Sequence, residues 1–171
     1  MTRSPVKAVA SKCGPPKQRL SEAVERARNI FVERNLRFTD LREQVFAEIA
    51  STNGAIGAYD ILDRLSAKGT RLAPISVYRS IDALLDAGVI HRLESKNAYF
   101  ACRRHEHSTK GRPIFLSCEK CGGVTEAEAQ AIFDQINETA RRSGFEPRVK
   151  FVEVSGLCAQ CSGKADRSGA Q

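Results

Sequence analysis

No apolar stretch in the 171 residues is long enough to cross a membrane, because charged residues interrupt every hydrophobic run. The basic residues near the N-terminus are not followed by the apolar segment that a secretory signal needs. Tryptophan is absent, aromatics make up only 6 %, and neither internal repeats nor low-complexity segments occur. A membrane span, a secretory leader and a fibrous or disordered chain are thereby excluded, and a soluble cytoplasmic protein is expected. A nucleophile paired with a base is also missing, as is a glycine loop able to cradle phosphate. The sequence therefore predicts neither an enzyme nor a small-molecule substrate.

Charge is present in excess of one sign, and unevenly. The formal net charge is +7. Residues 1–19 carry +5, residues 20–100 are neutral, residues 101–112 carry +3, residues 113–161 carry −2, and residues 162–171 carry +1. A basic tail and a basic connector thus make the excess. If residues 20–100 bind nucleic acid, they must segregate their charges onto faces, because phosphate neutralisation is local. The tail reads equally well as a solubilising arm or an arm that reaches DNA.

Six cysteines stand at positions 13, 102, 118, 121, 158 and 161. The last four form two C-x-x-C pairs, Cys118/Cys121 and Cys158/Cys161. Two residues between thiolates let a knuckle turn back on one ion, and two knuckles complete a tetrahedral four-sulfur shell. Small residues follow each knuckle (Gly122-Gly123 and Ser162-Gly163) and let backbone N–H groups turn towards sulfur. Disulfides are disfavoured in a cytosolic chain. Two paired motifs in one segment argue against a redox site. Structural zinc is the reading that remains. Cys13, beside Gly14-Pro15-Pro16, has no partner near it in sequence and reads as an incidental thiol.

Hydrophobic periodicity organises the rest. Helical spacing runs through residues 20–35, with Ser21 near the start. Thr39 looks like the N-cap of a second helix carrying Leu41, Val45, Phe46 and Ile49. Residues 58–67 form a third helix, stopped by Gly69. Pro74 opens a fourth, with Ser76 as N-cap, a stripe of Val77, Ile81, Leu84 and Leu85, and Gly88 as terminator. Tyr78, Arg79 and Asp82 fall on its other face. Residues 89–92 and 97–101 alternate around a turn and read as a β-hairpin. Helices followed by a hairpin outline a winged helix, whose last helix enters the major groove. Residues 103–112 form a polar linker with His105 and His107. A strand at 114–117, a helix at 127–142 (Ala131, Ile132, Ile136 and Ala140 on one face) and a strand at 148–154 make a small α/β unit. That unit is short of core and is expected to bury an edge or a helix face against a copy of itself. The fold class is α+β, with two domains of unlike architecture.

The string Ser76-Val77-Tyr78-Arg79, a hairpin ending in Cys102, a His-bearing linker and Phe115-Leu116-Ser117-Cys118-Glu119-Lys120-Cys121-Gly122 occur in this order. Together they resemble the ferric uptake regulator (Fur) superfamily over residues 20–161. Residues 54–62 (GAIGAYDIL), His91-Arg92-Leu93-Glu94-Ser95 and Tyr99-Phe100-Ala101-Cys102 resemble its zinc uptake regulator (Zur) branch. The resemblance implies a homodimeric repressor that binds AT-rich palindromic operators of zinc-uptake genes when zinc-loaded. It implies a basic tail (1–19), a winged helix-turn-helix DNA-binding domain (20–102), a hinge (103–112), a dimerisation domain with structural zinc (113–161) and a second tail (162–171).

Two Zn²⁺ ions per protomer follow from the resemblance. Cys118, Cys121, Cys158 and Cys161 hold the structural ion. His91, Cys102, Glu126 and His107, with His105 as the alternative to His107, hold the regulatory one. A thiolate, two imidazoles and a carboxylate suit tetrahedral Zn²⁺ better than ferrous iron. For DNA, the resemblance and the helix faces together point to Tyr78, Arg79, Ser76, Tyr59, Arg37 and Arg42. The competing functions are a sensor of iron, manganese or peroxide in the same superfamily, and a zinc-binding interaction module without a regulatory role.

Overall fold

The computed structural model describes residues 17–69, 72–102, 113–148 and 151–163. The described residues fall into two compact units, one ending at Cys102 and one beginning after it.

The first unit runs α1 (Lys17–Glu33), α2 (Asp40–Ser51), β1 (Ile56–Gly57), α3 (Ala58–Ala67), α4 (Pro74–Asp86), β2 (Ile90–Leu93) and β3 (Ala98–Ala101). A single 3₁₀ turn, Glu94–Lys96, and Asn97 in the left-handed region (φ +45°) join the last two strands. The three strands form an antiparallel sheet in the order β1-β3-β2, with His91 opposite Phe100. The apolar stripes of all four helices converge. Phe31, Val45, Ile49, Ile61, Leu65, Val77, Ile81 and Leu84 are buried together with Ile56, Ile90 and Tyr99 of the sheet. Each such side chain contributes about 1.5–3 kcal/mol of burial. This is the four-helix, hairpin-winged arrangement expected from the periodicity.

Local chemistry explains the helix ends. The Thr39 hydroxyl accepts from the Arg42 N–H at 3.4 Å and caps α2. At the end of α4, Gly88 takes φ +68°. Its N–H donates to Leu85 O (2.8 Å), and the Val89 N–H reaches back to Leu84 O (3.1 Å). Glycine suits that left-handed turn because it has no Cβ to clash. Arg34, just past the end of α1, donates to the Asp86 carbonyl at 3.0 Å and sets a cation on the same helix end.

Two expectations for this unit need correction. α1 begins at Lys17, so it takes in the last three residues assigned to the basic tail. Ser76 is not the N-cap of α4. Ala73 is, with Pro74 in the first helical position, where its missing N–H costs nothing. Ser76 lies inside the first turn, where its carbonyl accepts from the Ser80 hydroxyl at 2.9 Å.

The second unit runs β4 (Pro113–Cys118), β5 (Val124–Glu128), α5 (Gln130–Arg142) and β6 (Glu153–Gly156). Its sheet has the order β5-β4-β6, with β5 antiparallel and β6 parallel to the central strand. Ile114, Ala127 and Phe133 form a small buried cluster, with Leu116, Ala129 and Val152 against them, and Phe115, Cys118 and Val124 are buried as well. β5 was not foreseen. Residues 124–128 pair with β4, so the helix starts at Gln130 rather than 127. The expected apolar face of α5 is not its buried face. Only Phe133 is buried, whereas Ile132, Ile136 and Ala140 line an open groove with Phe145, Pro147 and Phe151. The last strand forms at Glu153–Gly156, later than the 148–154 read from the sequence.

Candidate metal centres and nucleic-acid interface

The parallel pairing of β4 with β6 brings the two cysteine knuckles to one end of the second sheet. Cys118 ends β4 opposite Gly156, and the Glu119 N–H donates to Gly156 O at 2.8 Å. Both knuckles make the same turn. Gly122 N–H bonds Cys118 O and Ser162 N–H bonds Cys158 O, each at 2.9 Å. All four sulfurs lie within 4.8 Å of one another. Cys121 and Cys158 sulfurs are 3.8 Å apart. That separation excludes a disulfide between them, and none of the five described cysteines forms one. It matches the edge of a sulfur tetrahedron around zinc, about 3.8 Å for Zn–S bonds of about 2.3 Å.

The thiols differ in acidity. N–H groups of Cys121 and Cys158 point at the Cys118 sulfur, the latter at 3.4 Å, and lower its pKa to about 6. The Gly123 N–H lowers the Cys121 thiol, but the Cys118 sulfur and burial outweigh it and hold the thiol up. Cys161 is pushed up to about 12 by its hydrogen bond with Cys158 and by burial. A cluster that keeps protons on Cys121 and Cys161 at neutral pH needs a cation to ionise fully. Zinc uptake at pH 7.5 is therefore expected to release about two protons or more per ion, and affinity rises with pH. An indicator dye in weak buffer reads this directly, and proton-free uptake would contradict a four-thiolate site.

Two of the four residues assigned to a regulatory ion meet within the first unit. His91 on β2 stacks at a tilt on Phe100 (5.6 Å between centroids, 42°). Cys102, just past β3, is fixed by its N–H to Val89 O at 2.9 Å. Their ligand atoms lie within 4.8 Å of one another. Glu126 stands half-buried on β5, opposite Phe115. His105 and His107 lie outside the described residues, as does Cys13.

On α4, Tyr78, Arg79 and Asp82 face outwards while Val77, Ile81 and Leu84 point into the core. Tyr59 of α3 is 65 % exposed and meets Tyr78 edge to face, 6.4 Å between centroids at 84°. The two rings and Arg79 are thus presented by neighbouring helices. Arg37 is exposed. Arg42 is half-buried, donates to the Arg37 carbonyl and lies 5.9 Å over the Phe31 ring, so part of its donor capacity is used inside the protein. Asp40 is the first residue of α2, where its charge favours the helix N-terminus. Sequence reasoning overlooked Ile75, an apolar residue of α4 that is 57 % exposed. The available signal was its spacing, three and four residues before Tyr78 and Arg79.

The sequence profile of the ferric uptake regulator family matches residues 33–155. The chain belongs to this family. Among its relatives is the zinc uptake regulation protein of Escherichia coli (strain K12), 36 % identical over 140 residues, covering 82 % of this chain and 81 % of that one. In solved structures, family members with the same fold include a zinc uptake regulator complexed with zinc and DNA. It is 35 % identical with a TM-score of 0.75, covering 84 % of this chain and 95 % of that one. Another is holo XcZur, 35 % identical with a TM-score of 0.72, covering 83 % and 98 %. The family match spans the last three helices of the first unit, its wing, and most of the second unit. Among the described residues, no helix is long and apolar enough to cross a membrane.

Proposed function

We propose that this protein is a zinc-responsive, dimeric transcriptional repressor of the ferric uptake regulator family, acting in the cytoplasm on AT-rich palindromic operators of zinc-uptake genes. The observation that carries the reading is the coexistence of a winged-helix face with a four-cysteine cluster able to hold a metal ion and a His91–Cys102 pair at the wing. Relatives named for zinc uptake regulation, and a homologous fold bound to zinc and DNA, support zinc as the signal and duplex DNA as the partner.

In this reading each protomer takes two zinc ions. Cys118, Cys121, Cys158 and Cys161 hold a closed structural ion. His91, Cys102, Glu126 and one histidine of residues 103–112, His107 in preference to His105, hold the regulatory one. Its ligands come from separate segments, so the site is complete in only one arrangement of the chain. Binding energy then selects the DNA-competent state. A decisive shift takes about 5.5 kcal/mol of differential affinity, within reach of a zinc site. Arg79 reads guanine O6 and N7, Tyr78 and Tyr59 pack on bases or reach phosphate, Ser76 meets phosphate at the start of α4, and Arg37 and Arg42 approach the backbone or minor groove.

The test is fluorescence anisotropy on an AT-rich palindrome at fixed salt, with free zinc buffered over a wide range and ferrous iron and manganese in parallel. Binding that appears with zinc alone is expected. Binding driven by iron or manganese would overturn the choice of metal. No binding by a folded, zinc-containing protein, followed by a failed random-sequence selection, would leave a zinc-binding interaction module. His91→Ala is expected to keep the structural ion and lose the zinc response. A mutant with unchanged zinc dependence removes His91 from the sensor.

A further inference from the structure

We infer that Ile75 reads a thymine methyl group in the major groove and is a specificity-determining residue. This inference rests on the DNA-binding role of α4 proposed above. Ile75 is the second residue of that helix, just after Pro74, and is 57 % exposed. Val77, two residues on, is 1 % exposed in the core. The exposure of Ile75 is therefore a matter of helix face and not of a frayed end. Residues three and four apart share a face, so Ile75, Tyr78 and Arg79 point the same way. Recognition helices of this class contact base edges with their N-terminal residues, which is where Ile75 stands.

The chemistry of the side chain narrows what it can read. Isoleucine neither donates nor accepts, so it gains nothing from phosphate oxygens or from the polar edges of guanine, adenine or cytosine. The one apolar group on the floor of the major groove is the C5-methyl of thymine. Its β-branched side chain is held near one rotamer in a helix, so little freedom is lost on contact. Arg79 lies four residues on, about 6 Å along the helix axis. That spans about two base-pair steps. The face therefore reads a thymine about two steps from a guanine, the first through Ile75 and the second through Arg79.

Uracil scanning separates this contact from a general loss of binding. The zinc-loaded full-length protein first selects duplexes from a random-sequence pool. Each thymine of the tightest duplex is then replaced singly by deoxyuridine, which removes only the methyl. One position per half-site is expected to weaken wild-type binding about fourfold, the worth of one buried methyl. Ile75→Ala, which loses the contact in both half-sites, is expected to bind the thymine duplex about sixteenfold more weakly and to lose its sensitivity to uracil at that position alone. Ile75→Val retains it. Zinc content and melting temperature of both variants stay those of the wild type. Uracil sensitivity that survives in Ile75→Ala but disappears in Tyr78→Ala assigns the methyl to Tyr78 and overturns the inference. Absence of any sensitive position overturns it too. A wild-type protein that selects no sequence overturns the DNA-binding reading itself, and this inference with it.

Discussion

Arg79→Ala is expected to reduce affinity for the selected operator by about thirtyfold or more per dimer while leaving zinc content and fold unchanged. The guanidinium is on the exposed side of α4, directly after Tyr78 and opposite the core stripe of Val77, Ile81 and Leu84. Its removal therefore disturbs no packing. A bidentate arginine–guanine pair discriminates by about 1–3 kcal/mol. A dimer makes the contact twice, so about 2–6 kcal/mol is at stake, and an arginine lost from both half-sites also lowers the salt slope. Arg79→Lys restores charge but not the planar fork. It is expected to recover non-specific binding and little of the specificity. Titrations at two salt concentrations on operator and scrambled duplex check this. Operator affinity equal to wild type would mean that α4 is not the reading helix.

Cys118→Ser is expected to cost the second unit its structure. Among the described residues, the buried apolar side chains of that unit are few (Ile114, Phe115, Val124, Ala127 and Phe133, besides Cys118 itself), little to hold a sheet and a helix unaided. The apparent binding energy of structural zinc is about 10–16 kcal/mol, larger than the whole stability of many domains. Cys118 also accepts N–H groups from both knuckles, so serine there loses the ligand and the hub of the local hydrogen bonds. The expected result is loss of the tightly held zinc, a fall in circular dichroism and a monomer by sedimentation. A variant that remains a dimer with its zinc would assign the structural role elsewhere. Cys102→Ser is the control, expected to retain the structural ion.

The parts of the fold that were legible in the sequence are those whose signal is local. Thr39 and Gly88 mark helix ends through their own side-chain and backbone preferences. The spacing of Val77, Ile81 and Leu84 marks a buried stripe whatever it packs against. The two C-x-x-C pairs were legible because each knuckle is a turn of short sequence separation, and their four sulfurs do come together. The misreadings have equally particular causes. Val124–Glu128 carries three polar residues and follows a turn, and becomes a strand only because β4 offers it an edge. β1 is two residues long and exists through its pairing with β3. Ser76 is a good capping residue by type, but with Pro74 in the first helical position the cap falls on Ala73, three positions earlier. For α5, periodicity put Ile132, Ile136 and Ala140 on one side but could not say that this unit leaves them in an open groove and buries Phe133 instead. The regulatory ligand set proposed here came from the resemblance. Spacing alone does not join His91 to Cys102, which meet because β2 and β3 pair.

The parallel pairing of β4 with β6 also sets an order of events at the ribosome. Cys121 and Cys158 are 37 residues apart, with β5 and α5 made between them. At ordinary translation speed the first knuckle waits about 2–7 s for the second. The winged-helix unit, which ends at Cys102, precedes both knuckles and is complete in sequence before either is made. Throughout that interval the nascent polypeptide holds a complete winged-helix unit and one of its two cysteine knuckles. On the proposed four-thiolate site, zinc closes the cage only after the second knuckle is made, so the second unit is the last part of the chain to mature.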